Sequence, residues 1–315
     1  PHLIADKMLG YIRDCAKQRD KPFFVYYALN IPHANNEGGG EKRIERNGMR
    51  VPDWGSHANL DMPNQEKGFA RMIDYIDRDV GNILALLKEL GIDDNTAVMF
   101  SSDNGPHQEG GHKMPFFDSN GPLRGMKRDL YEGGIRVPAI AWGPGLGLQA
   151  GKESGAVVRA MDWYPTLATF AGIKVPIDRV IDGRDISPLL KGETRVVPHP
   201  AVGKSLNASV PLRRRWDPPG EWKPLIKRNE YNEAFFYHGS QGALAAVRWR
   251  NWKLYLNPSL QLYDLDKDPG ESKFARNREI IRKLRGMAIL FQEEMRFDAR
   301  PAGELHRNLA PTGEI

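Results

Sequence analysis

Four short stretches hold side chains whose types and spacing could do chemistry. The first is Asn30-Ile31-Pro32-His33-Ala34-Asn35, which directly follows the apolar run of residues 23–29. An imidazole at His33 could hold an anion or exchange a proton near neutral pH. A loop histidine bonded only to backbone reads the same way. The second is Ser101-Ser102-Asp103-Asn104-Gly105. Asp103 and Asn104 offer hard oxygen ligands of the kind Ca²⁺ or Mg²⁺ takes, and Gly105 lets the backbone turn sharply away. A plain Asp-Asn-Gly turn competes with this reading, and two ligands fall short of the roughly six to eight oxygens Ca²⁺ takes.

The third stretch runs from Gly121 to Pro138 and packs Arg124, Lys127 and Arg128 ahead of an apolar segment. Lys127 is a compact positive charge that could hold a tetrahedral anion. Glu132-Gly133-Gly134 implies a tight backbone approach. By chemistry alone, a basic surface turn fits as well. The fourth stretch is Gly105 to His112, with His107, Glu109 and His112. Zinc could be imagined there, but Pro106 and the glycines oppose a helix that would align His107 with His112. Substrate-contacting loop residues are the better reading. No G-x-S-x-G elbow, Walker loop or dinucleotide fingerprint is present, so serine-hydrolase, NTPase and dehydrogenase readings lack support.

These stretches need elements to hold them. Residues 3–18 read as an amphipathic helix, with Ile4, Met8, Ile12 and Cys15 on one stripe. Residues 65–90 give the clearest helix, Phe69, Met72, Ile73, Ile76, Val80, Ile83, Leu84 and Leu87 recurring at i, i+3, i+4 before Gly91. Residues 23–29, 96–101 and 136–142 read as strands buried on both faces. Residues 161–171 form a short helix. This alternation predicts an α/β fold with a mainly parallel sheet flanked by helices, in which ligands bind beyond the carboxyl ends of strands. After residue 190 the texture changes. A loop-rich linker (193–234) precedes short antiparallel strands and a helix over 279–296, so residues 235–315 form a small α+β subdomain after an α/β domain over 1–192.

Composition sets the outer bounds. The chain has 315 residues, 40% apolar and 27% charged, which is enough to bury a core without staples. The single cysteine excludes an internal disulfide and any cysteine-clustered metal site. No apolar run nears the ~18 residues of a membrane span. The net charge of +5 is local: residues 201–260 hold ten Lys/Arg against four Asp/Glu, including Arg213, Arg214 and Arg215. Such a patch could draw in an anionic glycan, or be a solvated basic loop. No nucleic-acid-binding signature accompanies it, so nucleic acid is not expected as a partner. Asn207-Ala208-Ser209 is a glycosylation sequon, meaningful only in a eukaryotic secretory host.

Taken together, the segments resemble the sulfatase family of the alkaline-phosphatase-like superfamily. The resemblance rests on K-P-F-F-V-Y-Y-A-L-N-I-P-H (21–33), the 65–90 helix, A-V-M-F-S-S-D-N-G-P-H (97–107) and L-R-G-M-K-R-D-L-Y-E-G-G-I-R-V-P (123–138). Further downstream, M-D-W-Y-P-T-L-A-T-F-A-G (161–172), D-G-R-D-I-S-P-L-L (182–190) and L-Y-D-L-D-K-D-P-G-E (262–271) extend it.

The resemblance implies that Asp103 and Asn104 ligate a divalent cation, usually Ca²⁺ with Mg²⁺ as the option. It implies that Lys127 contacts the sulfate, that His33 helps protonate the leaving alcohol, and that His107 and Arg124 face the substrate. It also implies a formylglycine nucleophile made from Cys or Ser in a C/S-x-P-S/A-R motif. That motif is absent here, since Cys15 lies in D-C-A-K-Q. The chain is therefore expected to be the C-terminal portion of a sulfatase, inactive by itself, from a periplasmic or secreted parent acting on a sulfated small molecule or glycan. A phosphodiesterase or phosphonate hydrolase of the same superfamily is the alternative enzyme. A non-catalytic binder of anionic glycans is the alternative class.

Overall fold

Helix α2 (Asn64–Glu89) turns the clearest sequence period into the frame of the site. Its apolar stripe buries Met72, Tyr75, Leu86 and Leu87. Gly91 ends it at φ +59°, and the Ile92 N–H reaches back to Leu87 O at 3.0 Å, closing carbonyls the helix would otherwise leave open. Helix α1 (His2–Ala16) lays Met8 and Ile12 against Leu86 and Leu87, with Phe23, Val25, Tyr27, Val98 and Trp142 completing the cluster.

The computed structural model describes residues 2–36, 47–176, 181–195 and 225–298. The chain forms two compact units. One comprises Pro1–Ser205 and Leu265–Lys273, and the other Leu206–Asp264 and Phe274–Ile315. Arg213, Arg214, Arg215 and the sequon at Asn207 lie outside the described residues, so the structure says nothing of the centre of the basic patch.

Residues 23–29 correct one expectation. They carry no ladder partner among the described residues, and their burial alternates instead of covering both faces. Phe23, Val25, Tyr27 and Leu29 turn inward. Phe24 and Tyr26 remain 68% and 83% exposed, because no described element lies over that side. Strand β1 (Val98–Ser101) pairs antiparallel with β2 (Ala139–Trp142), Val98 opposite Trp142. The parallel neighbours predicted from the strand–helix alternation do not occur among the described pairings. The stretch between β1 and β2 is spent on the chemistry-bearing loops and the four-residue helix α3 (Glu132–Ile135), without a crossover helix that would set β2 parallel to β1.

Helix α4 (Trp163–Phe170) and the short α5 (Ser187–Leu190) are joined through a buried ion pair. Asp162, fully buried, accepts the Arg184 backbone N–H at 2.8 Å and its guanidinium at 2.9 Å.

In the second unit, after the short helix α6 (Arg228–Glu233), β3 (Phe235–His238), β4 (Leu244–Trp249), β5 (Trp252–Tyr255) and β6 (Gln261–Asp264) form one antiparallel meander. Helix α7 (Arg278–Asp298) covers it, and Val247, Leu254, Leu262, Leu284 and Met287 are almost wholly buried in the shared core.

Candidate anion site

His33 follows the extended 23–29 segment, and Lys127 belongs to a loop 94 residues away, yet the two side chains touch. Lys127 Nζ lies 2.8 Å from His33 Nε2, and His33 Nδ1 lies 2.7 Å from the Ala34 carbonyl. A carbonyl can only accept, so the ring proton sits on Nδ1 and Nε2 receives the lysine's N–H. Lys127 also donates to Glu109 Oε2 at 3.2 Å. Glu109 binds Arg128 through its other oxygen at 2.7 Å and accepts the Asn36 amide at 2.9 Å. The Asn36 amide first, then Lys127 and Arg128, hold the Glu109 carboxyl down to about 2 against a burial that opposes this, so it stays charged at any working pH.

The loop that presents Lys127 is built by backbone bonds. The Lys127 N–H donates to Pro106 O at 2.8 Å, and Gly133 N–H donates to Arg124 O at 2.7 Å. Gly125 turns at φ +87° and Arg128 at φ +83°. A side chain rarely adopts that left-handed region, so the Arg128 ion pair helps offset a conformational cost.

Asp103 and Asn104 sit where β1 ends. Gly105 N–H donates to Gly134 O at 2.9 Å, and a Cβ on Gly105 would lie 2.0 Å from Gly133 O, so only glycine lets this turn close against the Lys127 loop. The Asn104 amide N–H donates to Gly105 O at 2.8 Å, which leaves its Oδ1 as the atom available to a cation. Asp103 is exposed, and no partner of its carboxylate occurs among the described residues. An available carboxylate beside an amide oxygen is a donor set of the right hardness for Ca²⁺ or Mg²⁺. No group of three or more His, Cys, Asp or Glu placed to hold a metal occurs among the described residues. Asp103 and Asn104 thus fit the cation but cannot complete its shell alone.

His107 departs from its expected place against a substrate. It is 6% exposed, and both ring nitrogens are engaged inside the chain. Nδ1 accepts the Glu109 backbone N–H at 3.1 Å, and Nε2–H donates to Pro32 O at 2.9 Å. Burial, the largest cause, lowers its pKa from the ordinary histidine value. His107 holds the backbone on which His33 is mounted. Arg124 also turns elsewhere: its guanidinium lies over the Tyr131 ring at 3.9 Å and donates to the Glu271 carbonyl at 3.1 Å. His33, Lys127, His107, Asp103 and Asn104 line one broad groove, and Arg124 is not among its lining residues.

Two carboxylates, Glu66 and Glu271, escaped the sequence reading, and His112, read there as a substrate-contacting loop residue, is buried instead. His112 Nδ1 meets Glu66 Oε2 at 2.5 Å, and Phe69 stacks on its ring with centroids 3.9 Å apart. Glu66 Oε1 accepts the Lys113 N–H at 2.8 Å, so α2 clamps the end of the 107–113 loop. Glu271, fully buried, accepts the Glu132 N–H at 2.6 Å at the start of α3. Nothing in the sequence names the partners of Glu66 and Glu271.

An ammonium touching an imidazole, in one groove with a carboxylate and an amide oxygen, is a set of groups whose chemistry suits an oxyanion. The fold around it is α/β of the alkaline-phosphatase type. It matches a solved structure of Ps i-CgsB in complex with k-i-k-neocarrahexaose with a TM-score of 0.66 at 23% identity, over 95% of this chain and 59% of that one. The chain belongs to the sulfatase family, whose model matches residues 2–173. Human (Homo sapiens) steryl-sulfatase is 35% identical over 216 residues, 66% of this chain and 36% of the relative. The N-acetylgalactosamine-6-sulfatase of Sus scrofa is 37% identical over 282 residues, 86% of this chain and 48% of the relative. The chain thus spans half or less of these curated relatives.

Proposed function

We propose that this chain is the C-terminal portion of an enzyme that hydrolyses sulfate monoesters on a sulfated carbohydrate. The observation that carries the reading is the contact between Lys127 Nζ and His33 Nε2 in the groove that Asp103 and Asn104 also line. An ammonium there neutralises the charge that grows on sulfate oxygens during transfer. His33 has its Nδ1–H fixed by Ala34 O and turns Nε2 to the groove, so that a proton carried there passes to the alcohol oxygen as its bond to sulfur breaks, while Lys127 keeps its charge. Asp103 and Asn104 would hold Ca²⁺, or Mg²⁺, which supplies Lewis-acid polarisation of the sulfate when bound. His107 and Arg124 serve by holding the two loops rather than by touching substrate.

The formylglycine nucleophile belongs, in this reading, to a preceding part of the parent protein. Two observations support it: the chain spans 36% of the human steryl-sulfatase and 48% of the Sus scrofa N-acetylgalactosamine-6-sulfatase, and the outward row of Phe24 and Tyr26 is left apolar and exposed. Residues 1–192 then carry the catalytic portion, 193–234 a linker, and 235–315 a C-terminal subdomain. A carbohydrate substrate is supported by two relatives, the Sus scrofa N-acetylgalactosamine-6-sulfatase and Ps i-CgsB with its bound neocarrahexaose. No helix among the described residues is long and apolar enough to cross a membrane. Export to the periplasm or the medium is part of the proposal, from the family.

The test is turnover by the parent protein and by the 315-residue chain, side by side, on sulfated sugars, aryl sulfates and phosphate diesters. Sulfate release by the parent alone is the expected result. Faster phosphate-diester turnover would move the reading to phosphoester chemistry. Sulfated-glycan binding without any turnover by the parent would make it a non-catalytic relative.

A further inference from the structure

Among the described residues, Glu109 pairs with two neighbouring cations, Lys127 of the groove and Arg128 beside it. Oε2 takes the Lys127 ammonium at 3.2 Å and Oε1 the Arg128 guanidinium at 2.7 Å. The Asn36 amide fixes it from a third side at 2.9 Å, and His33 Nε2 lies 3.6 Å away. Its side chain is only 12% exposed, while that of Arg128 is 74% exposed. The carboxylate is thus packed behind the cations, where it acts on an arriving anion through them.

We propose that Glu109 is a positioning residue that sets the charge of the anion site, leaving Lys127 and Arg128 with one net positive charge between them instead of two. The inference rests on the sulfate-ester reading of the site. Its functional meaning lies in release. A site with two unopposed cations grips substrate sulfate and inorganic sulfate alike, and uniform binding of that kind slows turnover without speeding chemistry. By neutralising half the cationic charge, Glu109 lets the product sulfate leave.

The experiment is calorimetric titration of inorganic sulfate, at fixed ionic strength, into the protein at its full natural length. In Glu109→Gln the amide keeps the shape and removes the charge, and sulfate should bind about tenfold tighter, the effect of one added unit charge a few ångströms away in a partly solvated site. A merely structural role predicts the opposite, looser binding. Arg128→Gln should loosen sulfate by a similar factor. The pair Glu109→Gln with Arg128→Gln restores the original net charge and should restore the original affinity to within about threefold. This double variant also decides the matter if the single glutamine variant fails to melt cooperatively.

Unchanged or weaker sulfate binding in Glu109→Gln, with wild-type binding that Lys127→Met abolishes, overturns the role of Glu109 and leaves the anion site standing. Absence of sulfate binding by the wild-type protein overturns the anion-site reading, and this inference with it.

Discussion

Glu66 and His112, 46 residues apart, meet at 2.5 Å with both side chains out of solvent. One belongs to the first turn of α2 and the other closes the loop that carries His107 and Glu109. Their contact ties the anion site to the longest helix of the unit.

Removing either partner should be costly. Glu66→Ala strands a buried imidazole and takes the acceptor from the Lys113 N–H. We expect a loss of about 1–3 kcal/mol, the range for leaving a buried polar group without its partner. Chemical denaturation of the variant beside the wild type measures it. A change below about 0.5 kcal/mol, the scale of an ordinary surface substitution, would refute the clamp.

Lys127 should be irreplaceable. Lys127→Met in the parent protein is expected to lower kcat by about a hundred- to a thousandfold, the usual effect of deleting one donor to a charge that develops in transfer. Lys127→Arg should not rescue it, because a larger, planar guanidinium cannot take the place of a compact point charge seated 2.8 Å from His33 Nε2 and 3.2 Å from Glu109 Oε2. Steady-state kinetics decide this.

His107 makes stability depend on pH. Burial depresses its pKa in the folded state below the ordinary value of 6.5. Above that value both states are neutral at this ring and its contribution is whole. As pH falls below it, the unfolded chain takes up a proton that the folded chain resists, and stability drops until the folded pKa is passed. The melting temperature should therefore fall between pH 7.5 and 5.5, and fall less steeply in His107→Asn. Parallel slopes in the two proteins would remove this role.

Gly105→Ala tests the metal turn. Its new Cβ would meet Gly133 O at 2.0 Å, a backbone atom that cannot step aside. In the parent protein this variant should lose any stabilisation by added Ca²⁺, as should Asp103→Ala, whose backbone is undisturbed. Melting curves with Ca²⁺ and with a chelator separate the two effects. Gly105→Ala melts lower under both conditions, while Asp103→Ala differs from wild type only when Ca²⁺ is present.

Much of the frame was legible because it is local. The stripe of α2, its stop at Gly91, and the four short strands over 235–264 follow from period and turn chemistry within a few residues. Residues 23–29 misled because an apolar run carries no period that separates one buried face from two. Only the alternating burial shows which side is covered. His33, Lys127, Asp103 and Asn104 stand out through their motifs, and the structure brings the four to one groove. The roles of His107, Glu109 and Glu271 were not legible. Each depends on a contact that loop closure makes, such as His107 with Pro32 across 75 residues, and residue type alone does not name a partner.

Glu271 gives the site a place in time. Its carboxylate receives the Glu132 N–H from 139 positions away in the sequence, and its backbone carbonyl receives Arg124. Residues 265–273 belong to the same unit as the Lys127 loop, although 206–264 come between. On a ribosome making about 5–20 residues per second, α3 therefore waits roughly seven to twenty-eight seconds for the group that completes its first turn. The anion loop is among the last parts of its unit to be finished, after the intervening strands have already been synthesised. A nascent chain halted before residue 271 would carry Lys127 and His33 without the buttress that squares their loop.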